Sequence, residues 1–309
     1  MRIIFTGSGE FGLPTLAALL QAGHELVGVF TQVDRPAGRG LKMTPTPIAQ
    51  FALEHGLPLR RTDHLSAQEL PPADLMVVIA FGQKLAPAAI DHPRLGSINL
   101  HASRLPQFRG AAPVNWAILS GQSVTGNSVI RLAEIMDAGA ILAQSSLAIG
   151  ETETAGELYG RLAKDGVELV LQVMGDLEAA RAVETPQDDS VATTAPKLNR
   201  KSATIDWSAR AAQIARKIRG LYPWPGCAVR VLDASGNEQG RLTLVRARPA
   251  AGEGSRWRPG EILVSGHVCA GEGNAVQILE VQPQGKRAMP LADYRRGNPW
   301  MPGMRLESI

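Results

Sequence analysis

The chain has 309 residues, 44% hydrophobic and 20% charged, with 32 Gly, 21 Pro and two Cys. Such a chain can bury a sizeable core in one large or two ordinary domains, and its mixed composition excludes disordered, collagen-like and low-complexity classes. The net charge of +3 divides unevenly: residues 1–196 hold 14 Lys and Arg against 20 Asp and Glu, and residues 197–309 hold 18 against 9. A half at −6 followed by a half at +9 points to an anionic partner on the C-terminal part, with a plain basic surface as the alternative.

No stretch approaches the roughly 18 apolar residues of a membrane span. The opening Met1–Gly7 reads as a strand and lacks the pattern of a signal peptide. Cys227 and Cys269 make no disulfide framework, and no paired-ligand motif for a metal occurs. The expectation is a cytoplasmic protein without metal or membrane.

Arg2–Thr6 is a short apolar run that predicts a first strand. Leu13, Leu16, Leu19 and Leu20 then recur at helical spacing, with Gly23 as the stop. His24–Thr31 reads as a second buried strand. The stretch Asp34–Pro47, with Pro36, Gly38, Gly40 and Pro45, reads as a loop without regular elements, followed by a helix to His55. Leu75–Ala80 is unbroken and apolar, which predicts a central strand. Ser97–His101 is another strand, and Pro113–Ser120 a helix with Pro in its first turn. Val129–Leu132 and Ala140–Leu147 form a strand pair around the turn Met136–Gly139, and Thr154–Met174 is a long amphipathic helix. This alternation predicts a wound α/β sheet.

Composition shifts at Thr185-Pro-Gln-Asp-Asp-Ser and again at Thr193-Thr-Ala-Pro196, which read as linker. Ser208 is placed to cap a helix running to Arg219. Beyond Pro223-Trp-Pro225, Ala228–Leu232, Arg241–Ala247, Glu261–Val264 and Ala275–Val281 are strand-like and predict a small barrel or sandwich. The expected domains are 1–185, a linker 186–207, and 208–309.

Gly7-Ser-Gly-Glu-Phe-Gly12 matches a dinucleotide-binding fingerprint between a strand and a helix. The second strand ends in Val-Phe-Thr, without the acidic residue that would hold a ribose, and Glu10 would sit near the phosphates. A tight turn is the favoured reading, and a nucleotide-binding module the non-catalytic alternative. The densest polar cluster is Asn99-Leu-His101-Ala-Ser103-Arg104, continuing to Arg109-Gly110. Asn99 and His101 are two apart in a strand, so they share a face at its C-terminal end, where wound sheets place ligands. Asp137 sits beside Gly in a turn, as either a turn former or a partner to that pair.

Four stretches, Asp34-Arg-Pro-Ala-Gly-Arg-Gly40, Ile98-Asn-Leu-His-Ala-Ser103, Phe108-Arg-Gly-Ala-Ala-Pro113 and Met136-Asp-Ala-Gly139, resemble the methionyl-tRNA formyltransferase family. Ala195-Pro-Lys-Leu, Ile205-Asp-Trp, Pro223-Trp-Pro and Pro302-Gly-Met-Arg-Leu306 extend the resemblance over nearly the whole chain. It implies an N-terminal Rossmann-like wound sheet of formyltransferase type and a smaller C-terminal OB-like β-barrel. It also implies transfer of the formyl group of 10-formyltetrahydrofolate to the α-amine of methionyl initiator tRNA, by a monomer with no obligate protein partner.

Asn99 and His101 would then stabilise the oxygen that gains charge, and Asp137 would assist proton removal. Ser103, Arg104, Leu105 and Pro106, with Phe81, Gly82, Gln83 and Leu85, would line the folate. Phe11 would lie near the methionyl side chain. Arg39 and Lys42 would reach the tRNA acceptor end, and Lys197, Arg200, Lys201, Arg216 and Lys217 would meet phosphates. Arg104 stands where the family usually has Leu, and would either meet the folate carboxylates or reach solvent. Trp207 and Trp224, beside turns and prolines, read as packing residues. A formyltransferase acting on an amino sugar nucleotide, or a formyl-folate hydrolase, would share the same trio and is the enzymatic rival.

Overall fold

The apolar runs between Arg2 and His101 leave too little polar edge to face water, so they stack side by side as parallel strands with both faces covered. In a computed structural model, which describes residues 1–37, 40–254 and 257–309, these are β1 (Arg2–Gly7), β2 (Glu25–Thr31), β4 (Leu75–Ile79) and β5 (Ser97–His101), with a short and largely exposed strand, β3 (Leu59–Arg61), at the edge beside β2. All their pairings are parallel. Two antiparallel strands, β6 (Ser128–Arg131) and β7 (Ile141–Gln144), extend the sheet to the order β7-β6-β5-β4-β1-β2-β3. Strand order reverses between β1 and β4, the switch point where such sheets open a crevice for ligands. All five residues of β4 are buried, as its unbroken apolar run predicts.

The helix Ala155–Glu178 approaches β5 closely, and a Cβ added at Gly166 would lie 2.5 Å from Leu100. With Ile98 and Leu100 committed to the core, Asn99 and His101 are left on the opposite face of β5.

Cα packing divides the chain into two units. The first comprises Met1–Pro113, Thr125–Leu147 and Tyr159–Ala195; the second comprises Val114–Val124, Ala148–Leu158 and Pro196–Ile309. The second unit is built on β8 (Cys227–Leu232), β9 (Glu238–Ala250), β10 (Val268–Cys269), β11 (Ala275–Pro283) and β12 (Arg305–Ser308), in the order β10-β11-β9-β8-β12. This sheet is antiparallel and nearly closed into a barrel. Glu261 bridges Arg305 on one edge strand, and its neighbour Ile262 bridges Val268 on the other. Around this seam, Ile262 N–H donates to Met304 O (2.7 Å) and Cys269 N–H donates to Glu261 O (2.7 Å).

Four local expectations are revised. The 34–47 stretch contains a small hairpin, Arg35–Ala37 paired with Lys42–Thr44, since a two-stranded ribbon tolerates Pro36 where an inner strand would not. The C-terminal helix begins at Ala211, because Ser208 donates its N–H and hydroxyl to Asp206 in a local turn instead of capping the helix. Glu261–Val264 forms the seam just described and not a laddered strand. The 186–207 stretch is laid against folded structure: Thr194–Ala195 pairs in parallel with Arg109–Gly110, and Ala195, Leu198, Ile205 and Trp207 are buried.

Within the second unit, Arg246 of β9 gathers three partners. Its guanidinium donates to Glu157 (2.6 Å), Glu280 (2.9 Å) and Thr152 O (2.7 Å). Glu157 also accepts the Thr154 N–H and hydroxyl, both at 2.9 Å. The Arg246 guanidinium and these Thr154 donors hold the Glu157 carboxyl down to about 2 from an ordinary 4.5. A depressed carboxyl stabilises the fold above its unfolded pKa, and that stabilisation is lost as pH falls toward the folded value. Because the pair is half exposed, solvent screening reduces its worth to about 1 kcal/mol. Glu157→Gln is therefore expected to lower stability by about 1 kcal/mol at neutral pH. Its deficit relative to wild type should fade as pH falls from about 4.5 toward 2, which urea titrations across that range would read.

Candidate active site

At the C-terminal end of β5, His101 is buried and both of its ring nitrogens face oxygen atoms. Nε2 lies 3.0 Å from the Phe108 carbonyl, an acceptor only, so Nε2 carries the proton in that bond. Nδ1 faces the Asp137 carboxylate at 3.6 Å, too long for a direct hydrogen bond. Asp137 is itself fixed by the Gly110 N–H, which donates to its Oδ2 at 2.9 Å. Asn99 lies on the same face of β5, partly exposed, opposite Val78 of β4 and Ile130 of β6. Nothing among the described residues hydrogen-bonds its carboxamide. The structure thus brings the three residues to one place, with an anchored imidazole, a held carboxylate and an amide left without a hydrogen-bond partner among the described residues.

The loop joining His101 to Gly110 is held from two sides. Ser128 of β6, paired in register with His101, donates to Ser103 O (2.7 Å) and accepts from Leu105 N–H (3.0 Å). Gln144 of β7 adds bonds to Leu105 O and Ser128 Oγ, each 2.8 Å. On the other side, Thr193 Oγ1 accepts from Phe108 N–H (2.9 Å), and Thr193 O accepts from Arg109 N–H (2.9 Å). The segment that reads as linker therefore sets the position of the Phe108 carbonyl and the Gly110 amide, the two groups that orient His101 and Asp137.

Residues 1–174 match the family model described as formyl transferase, and residues 197–299 match that of the formyl transferase C-terminal domain. The methionyl-tRNA formyltransferase of Methylobacterium sp. (strain 4-46) is 39% identical over 313 residues, covering 99% of this chain and 99% of that protein. That of Moorella thermoacetica is 38% identical over 309 residues, covering 98% of each. The chain belongs to the methionyl-tRNA formyltransferase family. Solved structures share its fold at lower identity. An N-formyltransferase from Helicobacter canadensis, in complex with folinic acid and dTDP-3-aminofucose, superposes with a TM-score of 0.66 at 14% identity, over 90% of this chain and 98% of that one. HypX from Aquifex aeolicus, in complex with tetrahydrofolic acid, gives 0.62 at 20% identity; the match covers 95% of this chain but 46% of that longer one.

The positions expected from the formyltransferase family to line the folate fall into two groups. Ser103 is fully buried and donates its hydroxyl to Gln107 O, Leu105 is buried, Pro106 is partly exposed, and Arg104 is exposed without an ion-pair partner among the described residues. Phe81 and Leu85 instead point into the core with Met76 and Val78. The Phe81 carbonyl is also engaged, accepting from Gln32 Nε2 at 2.8 Å, so only the remaining main-chain groups of this loop are left to meet a ligand. Gly82 adopts a left-handed φ of +74° between Phe81 and Leu85, and Gln83 donates to Thr62 O (2.7 Å).

Phe11 is buried against Tyr159, with ring centroids 5.0 Å apart, and its N–H donates to the Tyr159 hydroxyl. Lys42 is exposed on the hairpin, whereas Arg39 lies outside the described residues. In the second unit, Lys197, Arg200 and Lys201 are exposed with no ion-pair partner among the described residues. Arg216 and Lys217 each spend a donor on the main chain, at Ala212 O and Thr204 O. Trp207 packs inside, while Trp224 is exposed. Among the described residues no group of three or more His, Cys, Asp and Glu side chains is arranged to hold a metal ion.

The glycine-rich turn is filled by protein. A Cβ at Gly7 would lie 2.5 Å from Ile79 O, so that glycine serves the contact between β1 and β4. Ser8 Oγ accepts from Gln32 N–H (3.1 Å) and Thr31 Oγ1 (3.3 Å), which ties the turn to the end of β2.

Ser128, Gln144 and Thr193 carry no local sequence signal; only the pairing of Ser128 with His101 across β5 and β6 marks the first. Gly110 is different, because its φ of +127° and the 2.6 Å gap between an added Cβ and Ala195 O leave no room for a side chain. Gly110→Ala is expected to cost about 2 kcal/mol or more and to reduce activity sharply. Chemical denaturation should reveal the loss, and an unaltered midpoint would contradict the described pairing.

Proposed function

We propose that this protein transfers the formyl group of 10-formyltetrahydrofolate to the α-amine of methionyl initiator tRNA. The observation that carries the reading is identity of 38–39% spread over 98–99% of the chain, so that the match includes the basic second unit as well as the catalytic trio. The folate supplies a formyl group attached to nitrogen. In the reaction the methionyl nitrogen gains the bond to the formyl carbon, the folate nitrogen loses it, and one proton passes from the amine to the departing nitrogen.

The residues present fit this chemistry. The Asn99 carboxamide donates to the formyl oxygen as charge develops there. His101 keeps Nε2 on the Phe108 carbonyl, which leaves Nδ1, facing Asp137, as the ring nitrogen that serves the reaction. Asp137, its other oxygen held by Gly110, accepts the amine proton directly or through one water. A free α-amine titrates at about 7.7–8.0, so a neutral fraction exists near pH 7 and no strong base is required. Ser103–Pro106 and the remaining main-chain groups of 81–85 form the folate side of the site. Phe11 borders the methionyl side chain.

Exposed Lys197, Arg200 and Lys201, with the remaining donors of Arg216 and Lys217, contact tRNA phosphates, and Lys42 reaches toward the acceptor end. The reading includes a cytoplasmic, monomeric enzyme that uses no metal.

The test is formylation of methionyl-tRNA with 10-formyltetrahydrofolate by wild type, Asn99→Ala and His101→Ala. Wild type should form formyl-methionyl-tRNA, with kcat reduced about 100- to 1,000-fold when the Asn99 donor is removed. The tRNA KM should rise about ten-fold or more between low and physiological salt, with little salt effect on the folate KM. Formylation of a sugar-nucleotide amine in place of methionyl-tRNA, or salt-insensitive kinetics, would sink the proposal.

A further inference from the structure

We infer that Gln187, held by Arg109, is a positioning residue for Asp137 in formyl transfer; this rests on the catalytic reading of Asn99, His101 and Asp137 given above. Asp137 has φ of +56°, a left-handed conformation that Asp adopts more readily than most non-glycine residues but that is uncommon enough to ask what constrains it here. The constraint is visible. Gln187 Nε2 donates to the carbonyls of Asp137 and Gly139, each at 2.8 Å, and so closes the turn that carries the carboxylate.

The Gln187 carboxamide is oriented from its other end. Its Oε1 accepts from Arg109 Nε (3.1 Å) and Nη2 (2.7 Å), and the same Nη2 reaches Asp189 at 2.6 Å. Turning the amide over would set its oxygen against two carbonyls and its NH2 against a guanidinium. The arrangement therefore admits one orientation. Arg109 is followed by Gly110, whose N–H holds the Asp137 carboxylate itself. Two adjacent residues thus fix both ends of Asp137: Arg109 holds its main chain through Gln187, and Gly110 holds its carboxylate directly. The carboxylate oxygen left over is the one that faces His101 Nδ1 at 3.6 Å.

Proton removal from the amine is sensitive to that placement, because a displacement of about an ångström in a reacting group lowers a rate by up to about 100-fold. Gln187 does not reach the reacting atoms. Its effect passes through Asp137, which distinguishes it from a residue that binds folate or tRNA.

Gln187→Met keeps the length of the side chain and removes its hydrogen bonds; Gln187→Glu keeps the bond to Arg109 but sets a carboxylate against the two carbonyls. Both variants should lose about 10- to 100-fold in kcat, with the KM values for 10-formyltetrahydrofolate and methionyl-tRNA little changed. In an Asp137→Asn background, single-turnover rates should show that Gln187→Met costs little more, because the group it positions is already disabled. Equal costs in both backgrounds, a wild-type kcat in Gln187→Glu, or a loss confined to KM would each overturn the inference while leaving the formyltransferase reading intact. A wild-type protein unable to formylate methionyl-tRNA would instead remove that reading, and the inference with it.

Discussion

Two residue pairs of parallel backbone, Arg109–Gly110 against Thr194–Ala195, are the contact on which the site depends. The Phe108 carbonyl that anchors His101 and the Gly110 amide that holds Asp137 both belong to the strand end fixed by this contact. Neither anchor is a side chain, so the residues that set the reactive geometry could be replaced in part while the main-chain positions could not. The requirement falls instead on Gly110, where the backbone conformation and the proximity of Ala195 admit hydrogen alone. Around that point the packing is conventional: β4 is sealed on both faces, β5 shares its inner face with the core, and the polar face of β5 is what remains for chemistry.

The second unit solves a different problem. An antiparallel sheet that stops short of closure leaves two edges able to pair with other chains. Here Gly260–Ile262 supplies backbone bonds to both edge strands and leaves little unpaired edge at that seam. Arg246, drawn between Glu157 and Glu280, ties the barrel strand β9 to the start of the long helix within the same unit. Other cations of this half are also engaged internally: Arg210 pairs with Glu272, and Arg219 donates to Gly150 O and Glu153 O from a buried position. Lys197, Arg200 and Lys201 stay exposed before the helix, and Arg258, Lys286, Arg287, Arg295 and Arg305 are exposed further along the chain, none of them with an ion-pair partner among the described residues.

The parts of the fold that were legible in the amino-acid sequence are those in which one local pattern decides the outcome. Leu75–Ile79 has no polar residue to place on a wet face, so it had to be central. Asn99 and His101 share a face because a strand alternates. Legibility fails where a tertiary partner decides. Ser208 carries the chemistry of a helix cap, yet Asp206 takes its hydrogen bonds. Glu261 and Ile262 look like any short strand, and only the positions of two distant edges turn them into a seam. Gln187 sits among Pro, Asp and Ser, a composition that signals loop, and its bonds to Asp137 and Gly139 cross roughly fifty residues of chain. At Phe81 and Leu85 the sequence leaves the direction of the side chains open, and tertiary packing sends them to the core with Met76 and Val78.

The strand at Thr194–Ala195 also changes where the catalytic half can be said to end. Composition puts that border near residue 185, but a polypeptide cut there would lack the backbone that aligns the 104–110 loop and the amide of Gln187. The half that performs the chemistry is therefore not a separable cassette at its compositional border. In recombination or domain exchange, the ten residues from Pro186 to Ala195 travel with the reactive centre, and a chimera joined upstream of them inherits a correct sheet with a misaligned site.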